Sequence, residues 1–226
     1  MSGAVRALIA AALACAMGSA AAATPDLTGV WINDKPVDML KAADGGAPPL
    51  KPEAKAIYDQ HRATAARGDR SFDGVPRCLP PGLPRLMLMK QPFEILQREK
   101  TVYFVYQINR LPRRIYMNES LPQDPDPLYL GYSVAHWDGN ALVIDTVGFN
   151  DSTLLDNAGL PHSDALHLTE RYELAPDGAH LRAHFTIDDP MTFTKTWTAR
   201  AEFVRKPGYE LREDVCAARL ATPAKP

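Results

Sequence analysis

Three of the six histidines and five aspartates fall between Gly131 and Arg171, in the stretch GYSVAHWDGNALVIDTVGFNDSTLLDNAGLPHSDALHLTER. Imidazoles and carboxylates at that density suit general acid/base work or metal ligation. For acid/base chemistry the focus is Glu170, because alternation over 165–174 puts it on one strand face with Leu166, Leu168, Tyr172 and Leu174. Desolvation among leucines would raise its pKa unless a cation such as Arg171 or Lys195 reaches it. His136 or His162 is its candidate partner, His167 is a further candidate catalytic residue, and Tyr172 on the same face could orient a substrate oxygen. The competing reading is a buried ion pair between Glu170 and an arginine of another strand, Arg113 or Arg114.

Metal ligation by His162 and His167, with His136 and Asp151 or Glu170 nearby, would give a His/carboxylate site. The spacing of five residues is not the i, i+4 pair of a helical zinc motif. No cofactor is therefore expected, with a His-ligated divalent metal as the alternative. Ser163, between His162 and Asp164, would be a nucleophile only if a triad converged in space, and the chain has no G-x-S-x-G elbow. Neither phosphate-cradling glycine pattern occurs, which argues against nucleotide cofactors.

The elements that must position these groups read as β. Tyr132 to Trp137 and Ala141 to Phe149 form a hairpin across Asp138-Gly139-Asn140. A polar loop, Asn150 to Ser163, follows, and loops of that length usually have a job. Further strands are expected at Thr28 to Ile32, Phe93 to Arg98, Thr101 to Asn109, Arg113 to Asn118, Ala165 to Leu174, Ala179 to Asp188 and Thr192 to Arg205. Short connections predict antiparallel neighbours, and an up-and-down barrel leaves no open edge. Before the sheet, 33–85 is a cover of Pro- and Gly-rich chain with one helix, Pro52 to Arg67, on which Ala54, Ile57, Tyr58 and His61 share a face. Its position predicts that it crosses the barrel or closes an open end.

Strands apolar on both faces leave two expectations for the interior: a mixed lumen holding a small molecule, or a filled core. If a ligand is held, Phe104, Tyr106, Trp137, Asp151, Lys195 and Trp197 are the candidates to line it, with Phe193, Lys195 and Trp197 read onto one face.

The 226 residues are 46% hydrophobic and carry 25 basic against 27 acidic side chains, enough for one packed domain and without the charge footprint of a nucleic-acid binder. Residues 1–23 combine Arg6, an apolar run and a small-residue end, which predicts a signal peptide cut near Ala23 and a mature domain of 24–226. The apolar run is shorter than the roughly 20 residues that span a bilayer. Lipidation at Cys15 is a second reading, though Ala12 stands where such signals usually have Leu. Export to a periplasm or beyond leaves Cys78 and Cys216, which in an oxidising compartment are expected to pair rather than serve as a catalytic thiol.

Gly29-Val30-Trp31, after an apolar residue at the head of the first strand, resembles the opening motif of lipocalin-like β-barrels, in which the Trp closes one end. With RCLPPGLPR, PFEILQ, RRIYMNE, AHWDGNALVIDTVGFND, PHSDALHLTERY and TIDDP, nearly the whole mature chain is similar to a family of uncharacterised exported bacterial proteins. That resemblance implies a fold and no catalytic residue. The expectation is a mainly β, antiparallel lipocalin-like barrel. It would be an exported enzyme acting on a small, partly apolar molecule by cofactor-independent lyase, isomerase or hydrolase chemistry, or else a non-catalytic carrier of such a molecule.

Overall fold

The computed structural model describes residues 24–216 and 218, so the expected leader and Cys15 lie outside the described residues. Nine strands close a barrel in sequence order: β1 (Gly29–Ile32), β2 (Phe93–Gln97), β3 (Thr101–Tyr106), β4 (Leu111–Met117), β5 (Tyr132–Asp138), β6 (Ala141–Val147), β7 (His167–Leu174), β8 (His180–Asp188) and β9 (Trp197–Arg205). The last strand pairs back onto the first, Trp31 opposite Arg205. The Asp138-Gly139-Asn140 turn sets the register of the central hairpin, with Asp138 opposite Ala141 and Ser133 opposite Thr146.

One pair departs from the expected antiparallel pattern. β4 and β5 run parallel, Ile115–Met117 beside Ser133–Ala135. Their connection, 118–131, contains Pro122, Pro125 and Pro127, which cannot build a tight hairpin. It instead travels back along the barrel, so both strands start at the same end. Its last stretch is held away from β4, with Leu128 bridged to Phe149 beyond the end of β6. The first half of β4 consequently has no strand on that side.

The two barrel ends are closed differently. The hairpin end is shut by Trp31 and Leu27, both fully buried. Trp31 donates to the Leu27 carbonyl at 2.9 Å, and the Arg205 guanidinium lies 4.3 Å from its ring centre. At the loop end the residues before β2 pack against the core. Helix α1 (Pro52–Ala66) starts at a proline, which forfeits no helical hydrogen bond there, and buries Ala54 and Tyr58. Ile57, read onto the same face, is exposed, because only a narrow stripe of α1 through Ala54 and Tyr58 is buried. A second, short helix α2 (Arg85–Leu88) drops Leu86, Met87 and Leu88 into the barrel core beside Leu40, Leu83, Leu155 and Leu160.

The disulfide forms between Cys78 and Cys216, with Cα atoms 5.6 Å apart and a sequence separation of 138. It ties the segment after β9 to the cover. That segment is also held at the β3–β4 turn, where Arg110 donates to the Leu211 carbonyl at 2.9 Å and Tyr209 to Gln107 at 3.1 Å. Among the described residues no helix is long and apolar enough to cross a membrane.

Candidate functional site

The barrel interior is filled by side chains of alternating strand positions, Phe93, Ile95, Val102, Phe104, Ile115, Leu142, Ile144, Leu168, Phe185, Ile187 and Phe203 among them. Set into this apolar packing is one polar cluster. Glu170 projects inward from β7, fully buried, and meets Arg113 of β4 in an ion pair. Arg113 also donates through Nε to Ser133 Oγ at 3.1 Å and through Nη2 to Thr146 Oγ1 at 2.8 Å. Tyr172 donates to the other Glu170 oxygen at 2.7 Å. Strand alternation is what gathers them: Ile144 stands opposite Glu170, and Thr146 follows two residues later on the same face. The ion-pair reading of Glu170 therefore describes its surroundings, with Arg113 rather than the exposed Arg114 as the partner.

The cluster is short of acceptors. Among the described residues three buried side-chain polar atoms lack a hydrogen-bond partner: Arg113 Nη1, Tyr106 Oη and Trp197 Nε1. The first two are neighbours: the Arg113 guanidinium acts on the Tyr106 phenol through its charge and a side-chain hydrogen-bonding interaction, although neither atom has a partner in good hydrogen-bond geometry. Burial pushes the Tyr106 phenol up in pKa and outweighs the pull of Arg113, so Tyr106 is a neutral O–H donor. Burial also works against the Arg113 cation, but the charge and hydrogen bond of Glu170 together with the nearby Tyr106 and Tyr172 phenols outweigh it and keep Arg113 protonated. Two donors thus sit together in a low-dielectric interior, where a missing acceptor is costly.

Beside this cluster the barrel wall is incomplete. A groove of about 330 Å³ follows the unpaired half of β4, between Leu111–Arg114 and the segment 128–133. Arg113 and Ser133, both cluster members, are among the residues that line it, together with Pro80, Pro112, Tyr116, Leu128, Tyr129 and Tyr132. Tyr116 and Tyr132 stack at 5.1 Å with planes 12° apart, and Arg114 covers Tyr116 at 4.5 Å. Gly131 brings the far wall hard against the cluster, because a Cβ there, at φ 62°, would stand 2.7 Å from Thr146 Cγ2.

The residues expected to form an acid/base site do not converge. Glu170 and Tyr172 meet in the interior, but the histidines are elsewhere. His136 is exposed on β5. His167 lies on the outer face of β7, where its Nε2 is 3.0 Å from Asp145 Oδ1 and Thr169 shares the same oxygen at 2.7 Å. That hydrogen bond raises the His167 pKa and lowers that of Asp145. His162 is buried under the loop after β6, edge-on to Phe149. Its Nδ1 lies 2.8 Å from the Ser163 carbonyl, which can only accept, so Nδ1 carries the proton and Nε2 accepts from Thr153 at 2.7 Å. Burial lowers its pKa, as that neutral tautomer requires. No group of three or more potential metal ligands occurs among the described residues.

The ligand candidates divide in the same way. Phe104 and Tyr106 lie in the interior, Phe104 edge-on to Tyr172 at 5.3 Å. Trp137 is half-buried against the core, and Asp151 is exposed in a turn. Lys195 does not share the inward face of Phe193 and Trp197. β9 begins only at Trp197, because Asp189 accepts from the Met191 and Thr192 amides and turns the chain, while Thr194 pairs with Pro49 of the cover. Lys195 is exposed there, beside a groove on the outer wall that Trp197 and Arg200 also line.

Sequence reasoning missed Ser133, Thr146 and the orphaned pair Arg113 Nη1 and Tyr106 Oη. The first two were within reach, because the register from the Asp-Gly turn sets Ser133 opposite Thr146 on the inward face. The polar loop, 150–163, has a structural job. Asp156 accepts from the Leu40 amide and the Tyr58 hydroxyl at 2.9 Å each and from the Ala158 and Leu160 amides at 3.0 and 2.9 Å. Asn157 accepts from Arg85, which clamps Asp73 with two bonds of 2.9 and 2.7 Å. Ser163 bonds Asp189 through both its amide and its hydroxyl at 2.7 Å. No protein-family model and no curated protein matches the chain.

Proposed function

We propose that this protein is an exported small-molecule binding barrel whose ligand presents a hydrogen-bond acceptor to Arg113 Nη1 and Tyr106 Oη. The observation that carries the reading is that pair of buried donors, unpartnered in a cluster whose other members are bonded. A buried donor without an acceptor costs about 1–3 kcal/mol, and a bound acceptor recovers it. Catalysis at the same place would need a free base, whereas both Glu170 oxygens are engaged, one by Arg113 and the other by Tyr172. His162 and His167 are held outside the interior in bonds that the fold itself uses, and His136 is exposed on β5. The leader-like residues 1–23 and the single disulfide support export to an oxidising compartment.

Native mass spectrometry of the protein recovered from a periplasm tests this directly. The expected result is a mature chain beginning at Thr24, two hydrogens lighter for its disulfide, carrying an organic adduct that Tyr106→Phe loses. An adduct that survives Tyr106→Phe undiminished would sink the assignment of the donors.

A further inference from the structure

At the parallel seam a surface groove reaches Arg113 and Ser133 of the polar cluster, whereas both barrel ends are closed. The hairpin end is plugged by Trp31, Leu27 and Arg205, and the loop end by α2, Leu40, Leu83, Leu155 and Leu160 beneath the cover. At the seam, by contrast, the first half of β4 has no partner strand, and the groove there is lined by Arg113 and Ser133 themselves. We propose that the ligand enters sideways between β4 and the segment 128–131, and that it is a flat, ring-bearing compound with a neutral carbonyl. This rests on the binding reading above and specifies both its route and its ligand class.

The charge follows from the cluster. Arg113 is already matched by Glu170, so the pocket has donors to spare but no net positive charge, and a carboxylate would be desolvated without a counter-ion. A ketone, amide or ester oxygen needs only the two donors. The flat ring follows from the walls, which are rigid rings: Tyr116, Tyr129, Tyr132, Pro80 and Pro112. At about 330 Å³ the groove is at the small end of ligand sites, which run from about 300 to 1,000 Å³.

The test is fluorescence titration of the disulfide-bonded mature protein with 2-acetylnaphthalene. Three comparators are used: naphthalene, which lacks the acceptor, 2-naphthoate, which is charged, and cyclohexyl methyl ketone, which lacks the flat ring. The aromatic ketone is expected to bind about tenfold or more tighter than each comparator, the worth of one buried hydrogen bond or of the ring contact. Tyr106→Phe should weaken it about tenfold. Leu128→Trp and Pro112→Trp, at exposed positions where folding is undisturbed, should slow its association at least tenfold by narrowing the slot.

Sensitivity to Tyr106→Phe with unchanged association in both seam variants would overturn lateral entry and leave the binding reading standing. Preference for 2-naphthoate or for the cyclohexyl ketone would overturn the ligand class, as would absence of binding by the aromatic ketone. Binding of the four compounds that ignores Tyr106→Phe would overturn the use of these donors, and with it the reading on which the inference rests.

Discussion

Two buried polar networks hold this molecule, one in the cover and one in the barrel, and they differ in whether their accounts of donors and acceptors close. In the cover, Asp73 receives both Arg85 and Arg70, and Asp156 receives four donors from three separate segments. In the barrel, Arg113 and Glu170 are equally buried, yet Arg113 Nη1 and Tyr106 Oη are left over. A closed network fixes irregular chain that has no ladder to satisfy its backbone. An open one inside a sheet already fixed by its ladder has no such structural excuse, which is why we place function there.

The largest expected effect tests how much the cover depends on its tether. Replacing Cys78 and Cys216 with Ser should cost about 4–5 kcal/mol in the chain-entropy model for so long a loop, read as a lowered denaturant midpoint. A cost below about 1 kcal/mol would mean that the polar network alone anchors the cover. Next, Glu170→Ala should destabilise by about 3–5 kcal/mol, because it leaves Arg113 charged and buried. The double variant Arg113→Met with Glu170→Met should recover most of that loss, as hydrophobic replacement of a buried pair often does. Arg85→Met in the cover should cost less than Glu170→Ala, since Asp73 keeps Arg70, a partner that reaches solvent. If the order of these two costs were reversed, the contrast drawn between the networks would be wrong.

Acid sensitivity separates the regions as well. Asp73 is lowered in pKa because the bonds and charge of Arg85 outweigh its burial, and His162 is lowered by burial. Both folded-state values lie below the unfolded ones, so both groups contribute stability that is complete above the unfolded pKa and is lost as pH falls toward the folded one. For His162 the window opens at about pH 6.5 and for Asp73 at about pH 3.9. Amide protection in 150–163, corrected for the intrinsic pH dependence of exchange, is therefore expected to fall as the pH drops below about 6.5, and His162→Gln should flatten that dependence. An equal loss of protection in β6 and β7 would place the acid-labile group in the barrel.

The barrel was legible because its strands carry period-two alternation and its turns carry Asp-Gly signals, which together set register. The disulfide followed from having two cysteines after the expected leader, Cys78 and Cys216. What escaped was long-range. Nothing local in Pro122 to Pro127 says that the chain will travel back and enter β5 parallel to β4, and that crossover creates the gap in the wall. The dense His and Asp content of 131–171 invited a catalytic reading, yet most of those groups satisfy backbone amides or outer-face partners. The same residue types serve both purposes, and only their neighbours in space distinguish them.

The smallest effect separates the networks most sharply, because one substitution is expected to change sign between them. Tyr58→Phe in the cover removes a hydroxyl that donates to Asp156 at 2.9 Å and leaves a buried carboxylate one donor poorer. It should cost about 1–3 kcal/mol, the range for a hydrogen bond to a charged group. Tyr106→Phe in the barrel removes a hydroxyl with no partner in good hydrogen-bond geometry, so the ligand-free protein should be unchanged or up to about 1 kcal/mol more stable. Chemical denaturation of ligand-stripped protein reads both values. With ligand present the Tyr106→Phe advantage should reverse, since the wild type binds about tenfold more tightly and gains the larger linkage term. If Tyr106→Phe destabilises the stripped protein as much as Tyr58→Phe destabilises the cover, a bound water already completes the Arg113 cluster. The two networks would then be equally closed, and the donors would have no acceptor left to recruit.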